Sequence, residues 1–452
     1  MKVNILGNNK WMFYGIIYTM LAVPFGVYSQ MTTLALLFIW IAYVVWMFIS
    51  KKTGYSLVIV ALALTMPKMI RETDVYIIGL RWPQVFLGLC IVAVAFLCIN
   101  KKKSNPVHNV VLVCGLFILL YLLYCSNPTF RYFRGLVDAV IFIHCMFYIS
   151  SQDKMDFEDV FKGASLIFVF TAIYAIAHYF FNIGPYSALT DRSYLESIGY
   201  VFIKREGGLF CNSLVLSAIC VIYHSLILAR FLKTHKMAYV MELLCITTAI
   251  LTISRTAIVI LAVQFLLYLF FNRTVRLGTT IVLAMVLSVF YLTVLKDSGA
   301  VTDLNDRMEM TSEHRESGYS TTWRIISDHP LGVGKQKVAF YMHEYNTGGI
   351  EEDLVTLDNF YLTQIASYGL LSFISFAFYL LYFFSVPRYL KNKDNRKVLL
   401  LLIVTWCLLG FSYDVESFEP VTVSCFGFIG LLFVSFKNEE KIENVVSIDN
   451  HN

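Results

Sequence analysis

Apolar runs of about twenty residues recur along the chain, separated by short polar stretches in which lysine and arginine collect. At about 1.5 Å of rise per residue, a helix of that length crosses a hydrocarbon core of roughly 30 Å. About fourteen such spans can be read: 11–28, 31–50, 55–67, 84–100, 107–125, 135–150, 161–181, 209–230, 238–254, 256–271, 278–295, 360–386, 398–413 and 420–436. The pattern predicts an all-α, polytopic integral membrane protein with about 12–14 transmembrane helices, forming a single transmembrane domain over residues 1–452. The first run has no small-residue cleavage site after it and is expected to remain as a span.

The stretch 238–271 is largely apolar, with Ser254 and Arg255 near its middle. As one helix its roughly 34 residues would measure about 50 Å, far more than the bilayer core. The reading that fits is two helices joined by a tight turn at Ser254 and Arg255. That turn sets a permanent cation where a helix begins, and helix N-termini and guanidinium groups both favour phosphate. An arginine inside an apolar membrane stretch is a functional-site candidate; the alternative is an arginine that marks a loop tip and snorkels to the surface.

Basic clusters set the orientation. Lys51 and Lys52, Lys101 to Lys103, the segment 230–236, Arg273 and Arg276, and the segment 388–397 fall on alternate loops, so they share the cytoplasmic face with both termini and with a tail over 437–452. The remaining loops face outward: chiefly 68–83, 126–134, 182–208, the 254–256 turn and the long extracytoplasmic loop 296–359. That loop is acidic at first. It then offers a short amphipathic helix over 319–328, with Tyr319, Trp323 and Ile326 on one face. The helix should stop at His329, because the following Pro330 disfavours α geometry before it. Gly332 and Gly334 follow as turn residues, and His329 reads as structural.

Composition narrows the class. A chain that is 58% hydrophobic, 16% aromatic and 15% charged, with a mean hydropathy of +0.66, is no soluble domain. The net charge of +5 resides in loop lysines and gives no reason to expect a nucleic-acid partner. The ten cysteines are scattered through apolar runs without metal-ligand spacing, so neither disulfides nor a metal is expected. Nothing in the pattern calls for a cofactor.

Four outer-face segments then carry the candidate chemistry. They are Arg205-Glu206-Gly207-Gly208-Leu209-Phe210-Cys211-Asn212-Ser213; Ser254-Arg255-Thr256-Ala257; Arg315 followed by His329-Pro330-Leu331-Gly332-Val333-Gly334; and Asp358-Asn359-Phe360-Tyr361-Leu362, ahead of Gly369-Leu370. Their order and spacing resemble the O-antigen ligase and Wzy-type repeat-unit polymerase superfamily over roughly residues 200–370. Cys211 stands where that family often has proline. Asp358 stands where its ligases usually have histidine, which tilts the reading toward a polymerase. Arg324 rivals Arg315 for the loop arginine.

The resemblance implies a glycosyltransferase at the outer face of a bacterial cytoplasmic membrane. Its donor would be a polyprenyl-diphosphate-linked oligosaccharide, the repeat unit of O-antigen, capsule or exopolysaccharide, with a flippase and a chain-length regulator as possible neighbours. The leaving lipid diphosphate needs charge neutralisation, which arginine supplies bidentately. Arg255 and Arg315 are the catalytic candidates for it, with Arg205 holding the diphosphate. Asp358 is the candidate general base for the acceptor hydroxyl, or else the N-cap of the span that follows. Arg324, Asn212 and Asn359 are candidate substrate contacts, and both asparagines are equally suited to helix capping. A ligase joining finished glycan to lipid A core or protein is the alternative enzyme. A lipid-linked oligosaccharide flippase is the alternative of another class. A flippase would be expected to bury charges in several spans around a cavity, whereas these spans read as nearly free of ionisable groups.

Overall fold

The computed structural model describes residues 10–25, 30–50, 52–65, 76–77, 80–81, 143, 146–181, 206–210, 212–236, 238–271, 318–345, 359–411 and 419–449. The helices traced among these residues include α1 (Lys10–Phe25), α2 (Gln30–Ile49), α3 (Tyr55–Thr65), α4 (Phe157–Phe181), α5 (Ser213–Thr234), α6 (Tyr239–Leu251), α7 (Arg255–Phe271), α8 (318–328), α9 (Lys335–Tyr345), α10 (Phe360–Ser385), α11 (Lys393–Gly410) and α12 (Glu419–Asp449). One small antiparallel hairpin pairs β1 (Tyr76–Ile77) with β2 (Leu80–Arg81). The expected spans 84–100, 107–125 and 278–295 lie outside the described residues.

The protein is an all-α integral membrane protein. Among the described residues, Phe157–Phe181, Ser213–Thr234 and Pro420–Ile442 are each long and apolar enough to cross a bilayer. Large apolar side chains stand exposed along the outer flanks of the bundle, including Leu21, Phe181, Val240, Val259, Leu266 and Phe378. In water such surface would drive association; against acyl chains it is the appropriate solvent-facing surface.

Helix α5 is the axis. It is buried along nearly its whole length and packs against α4, α6, α7, α11 and α12. Asn212 caps its start by accepting from Leu214 N (2.9 Å) and Val215 N (3.3 Å). Its end closes with His235 in the left-handed conformation, whose N–H bonds Phe231 O at 2.8 Å. A polar chain crosses the axis. His224 on α5 meets Glu242 Oε1 of α6 (2.8 Å) and Gln264 Oε1 of α7 (2.6 Å), and Gln264 Nε2 donates to Ser225 Oγ (2.8 Å) and to Thr405 Oγ1 of α11 (2.7 Å). This corrects the expectation of spans nearly free of ionisable groups. The groups are present, and they are satisfied by one another inside helix interfaces.

The basic end of the bundle is pinned by two carboxylates. Asp153, wholly buried, accepts from Gly54 N (2.6 Å), Ser56 N (3.2 Å) and Ser56 Oγ (2.6 Å), and so caps α3. Burial pushes its carboxyl up to about 6, against the pull of those three hydrogen bonds. Glu440 of α12 accepts from Lys391 N (2.9 Å) and Asn392 N (2.8 Å), fixing the turn into α11. The stretch expected as a tail from 437 continues the last span as one helix to Asp449.

Two features of the loop 296–359 differ from expectation. Helix α8 does end at residue 328, immediately before His329 and Pro330. Its buried face, however, is Thr321, Thr322, Ile325 and Ile326, while Trp323 is 56% exposed. The inward face is therefore set by packing on α10 rather than by the aromatic spacing. A second helix, α9, folds back on α8 to make a hairpin. Ile325, Ile326, Val338 and Met342 of this hairpin close a small core with Ile365 and Ala366 of α10.

The orientation rule yields a direct test. Cysteines placed at Thr311 and Glu352 should react from outside with an impermeant thiol reagent, and one at Asp394 should not. Asp394 is the better inner probe, since its neighbour Asn395 is buried. Labelling at Asp394 alone would invert the topology and move every outer-face candidate to the cytoplasm.

Candidate functional site

The turn between α6 and α7 occupies residues 252–254. Thr252 N bonds Ala249 O (3.3 Å) and Ile253 N bonds Ile250 O (2.9 Å), which tightens the last turn of α6. Ile253 then takes φ +50. A β-branched residue is strained in the left-handed region, and such strain persists only where the surroundings over-determine it. Ser254 is buried, accepts Ile258 N through its carbonyl at 3.2 Å, and receives a long bond from Ala257 N on Oγ at 3.4 Å. Arg255, half-buried, is the first residue of α7. The expected geometry is thus present: a guanidinium at a helix N-terminus, where the backbone N–H groups and the macrodipole add to its positive field.

The Arg205 segment is tied to this turn through its neighbour. Glu206 N donates to Leu251 O, the last carbonyl of α6, at 3.0 Å. The Glu206 carboxylate is 1% exposed. It receives Gly208 N at 2.6 Å and His178 Nδ1 of α4 at 3.0 and 3.1 Å to its two oxygens. Gly208 has φ +54, a conformation that glycine adopts without a Cβ penalty, and it starts a buried single turn over Gly208–Phe210 ahead of the Asn212 cap. One buried glutamate, through its carboxylate and its own N–H, therefore joins α4, α6 and the entry to α5. The sequence held the signal, a glutamate beside the arginine and a histidine near the end of an apolar run. Periodicity alone could not pair residues that are 28 positions apart.

A third junction joins the two later segments. Helix α10 breaks at Gly369, with φ 84 and ψ 166, and the turn 329–334 fills the break. Val333 N donates to Ala366 O (2.9 Å), Gly334 N to Ser367 O (2.8 Å), and Leu370 N returns a bond to Pro330 O (3.1 Å). The backbones touch at two glycines. A Cβ on Gly332 would lie 2.5 Å from Gly369 N, and one on Gly369 would lie 2.5 Å from Leu331 C. His329 packs its ring on Tyr341 at 4.8 Å, in keeping with a structural role. A hydrogen bond to the Asp328 carboxylate raises the Tyr345 phenol above its usual range.

The candidate residues are distributed as follows. Arg255 heads α7. Arg324 is exposed on α8 beside Trp323. Asn212 and Asn359 both cap helices; Asn359 Oδ1 accepts Leu362 N (3.1 Å) and its Nδ2 donates to Phe411 O, just past the end of α11 (3.2 Å). With both ends of its amide engaged, Asn359 pins two helix ends together. The cap of α10 is thus Asn359, and the capping alternative for Asp358 is already filled. Asp358, Arg205 and Arg315 lie outside the described residues. Among the described residues, no group of three His, Cys, Asp or Glu side chains comes together that could hold a metal ion.

Residues 240–377 match the family model described as O-antigen ligase. The match begins in α6, takes in the Arg255 turn and the α8–α9 hairpin, and ends in α10 beyond the Gly369 break. No curated protein matches the chain.

The Gly332–Gly369 contact can be tested on its own. Gly332→Ala meets backbone on α10 and has φ +86, so it should cost at least about 1–3 kcal/mol and loosen the hairpin. Limited proteolysis of the purified protein in detergent should then cut between 318 and 345 faster than in wild type. Leu331→Ala, at an exposed side chain, is the control. Equal cleavage of Gly332→Ala and wild type would show that the hairpin does not depend on this contact.

Proposed function

We propose that this chain, which carries an O-antigen ligase domain of the Wzy superfamily, polymerises oligosaccharide repeat units carried on a polyprenyl diphosphate. It would act at the outer face of the bacterial cytoplasmic membrane, as a multi-pass glycosyltransferase of O-antigen, capsule or exopolysaccharide synthesis. The observation that carries the reading is the bond from Glu206 N to Leu251 O. It holds Glu206 against the turn that presents Arg255, and the neighbouring Arg205 would bring a second guanidinium to the same helix N-terminus. That combination suits a diphosphate.

In the proposed reaction the acceptor sugar hydroxyl attacks C1 of the donor glycan. Its proton passes to the Asp358 carboxylate, and the bond from C1 to the diphosphate oxygen breaks with its electron pair leaving on the diphosphate. Arg255 and Arg205 hold that leaving group, and Arg315 or Arg324 approaches from the loop. Charge grows on the leaving oxygen in the transition state, so donors already aimed there lower the barrier. One lost guanidinium contact would cost about 3 kcal/mol, or on the order of a hundredfold in rate. Asp358 suits the base role because its neighbour Asn359 caps α10. The flippase alternative is less well supported: the buried pairs His178–Glu206 and His224–Glu242 are satisfied within helix packing. A ligase that transfers finished glycan remains the second reading, favoured by the description of the matching family.

Two substitutions test the chemistry, scored by the length distribution of surface glycan at matched protein level. Arg255→Lys should lose most activity although it keeps its charge, because an ammonium lacks the bidentate fork. Asp358→Asn should accumulate normally and extend chains at least about a hundredfold more slowly. Polymer of wild-type length from the Asn variant would remove Asp358 from the mechanism. A deletion strain separates the two enzymes: a single surface repeat unit without long chains marks a polymerase, while lipid-linked polymer without surface glycan marks a ligase.

A further inference from the structure

The end of the bundle opposite the Arg255 turn carries a groove that the proposed glycan chemistry does not use. It has a volume of about 650 Å³ and runs between the first turns of α4, the last turns of α5 and the start of α6. On α4 it follows Phe161, Ser165, Leu166 and Val169; at the mouth stand Glu158, Lys162 and Arg230. From Glu158 to Val169 is about 16 Å along a helix. The third wall is the start of α6, where Tyr239 and Val240 are 65% and 75% exposed. The groove therefore opens on the lipid-facing flank, at the level of Lys233 and Lys236.

Its charge is unbalanced. Lys162 has no ion-pair partner among the described residues. Arg230 is held in place with its guanidinium over the Phe161 ring at 4.7 Å, and its Nε is 3.5 Å from Glu158 Oε1. That separation forms an ion pair but leaves the buried Nε without a hydrogen-bond acceptor among the described residues. Two cations and one carboxylate thus frame the head of an apolar track, at the membrane interface where the aromatic Tyr239 sits.

We propose that the groove binds one anionic phospholipid of the leaflet on the lysine-rich side. The lipid phosphate would lie between Lys162 and the exposed edge of the Arg230 guanidinium, and one acyl chain would run along α4 toward Val169. A basic pocket between membrane helices recognises an anionic head group by this combination of charge and adjoining apolar surface. The three helices that line the groove are those whose far ends meet at Glu206, His178 and Leu251, so an occupant here also braces the scaffold of the Arg255 turn.

The test uses the full-length protein in neutral detergent, with native mass spectrometry and thermal unfolding as readouts. Phosphatidylglycerol should remain bound and raise the unfolding temperature, while phosphatidylcholine of the same chains and inorganic phosphate should do neither. Lys162→Gln should weaken retention of phosphatidylglycerol about fivefold, the effect of one basic residue near a charged head group. Val240→Trp, at an exposed position on the open wall, should obstruct the track and weaken retention at least as much. Equal retention of the two lipids, or wild-type retention by both variants, would overturn the proposal. A thermal shift from inorganic phosphate alone would also overturn it, by reducing the groove to an anion site.

Discussion

Inside a bilayer no water is available to satisfy a broken backbone, so every interruption of a helix must find its partners within the protein. Much of the candidate site follows from that constraint. The α6–α7 turn leaves Leu251 O, and Glu206 N takes it. The break at Gly369 leaves Ala366 O, Ser367 O and Leu370 N, and the turn 330–334 takes all three. Each interruption in one segment is thus completed by another segment far away in sequence. The four segments are joined in two pairs by bonds between their backbones.

Side chains secure the same junctions. Glu206 and His178 sit almost fully buried, each supplying what the other lacks, and breaking such a pair strands a charge or a polar group where no water reaches it. The chain through His224, Gln264 and Thr405 does the same across α5, α7 and α11. These contacts fix rotation about the helix axes, which apolar packing alone leaves loosely specified between helices already surrounded by lipid. The strained Ile253 belongs to this picture. A rigid frame over-determines the turn, so Arg255 is held at the head of α7 by structure rather than by its own preference.

Most of the described helices were legible in the sequence, for simple reasons. A hydrophobic run of the right length reads as a span, and the spans expected at 31–50, 238–254, 256–271 and 360–386 lie within a few residues of α2, α6, α7 and α10. Local stereochemistry was legible too, since Pro330 ends α8 where it must. What pattern could not supply was pairing. Trp323 and Ile326 share a face by their spacing, but which face turns inward depends on α10. Helix α9 is Lys335-Gln-Lys-Val-Ala-Phe-Tyr-Met-His-Glu-Tyr345, too polar to stand out until Val338 and Met342 are seen against Ile365. The break at Gly369 was also hidden, because a glycine in an apolar run is more often tolerated than broken.

The asparagine beside Asp358 shows how such pairing alters a chemical argument. In sequence, Asp358 and Asn359 are both good caps, and a capping aspartate needs no further explanation. In the structure Asn359 bonds Leu362 N and also reaches Phe411 O, so it joins the start of α10 to the end of α11. Asparagine alone of the two can do both, since it carries a donor as well as an acceptor, whereas an ionised aspartate only accepts. The dipeptide therefore divides its work by chemistry. The amide serves the scaffold, next to a helix start that it holds still. In the proposed reaction it is the neighbouring carboxylate, an acceptor only, that would take the proton of the sugar hydroxyl.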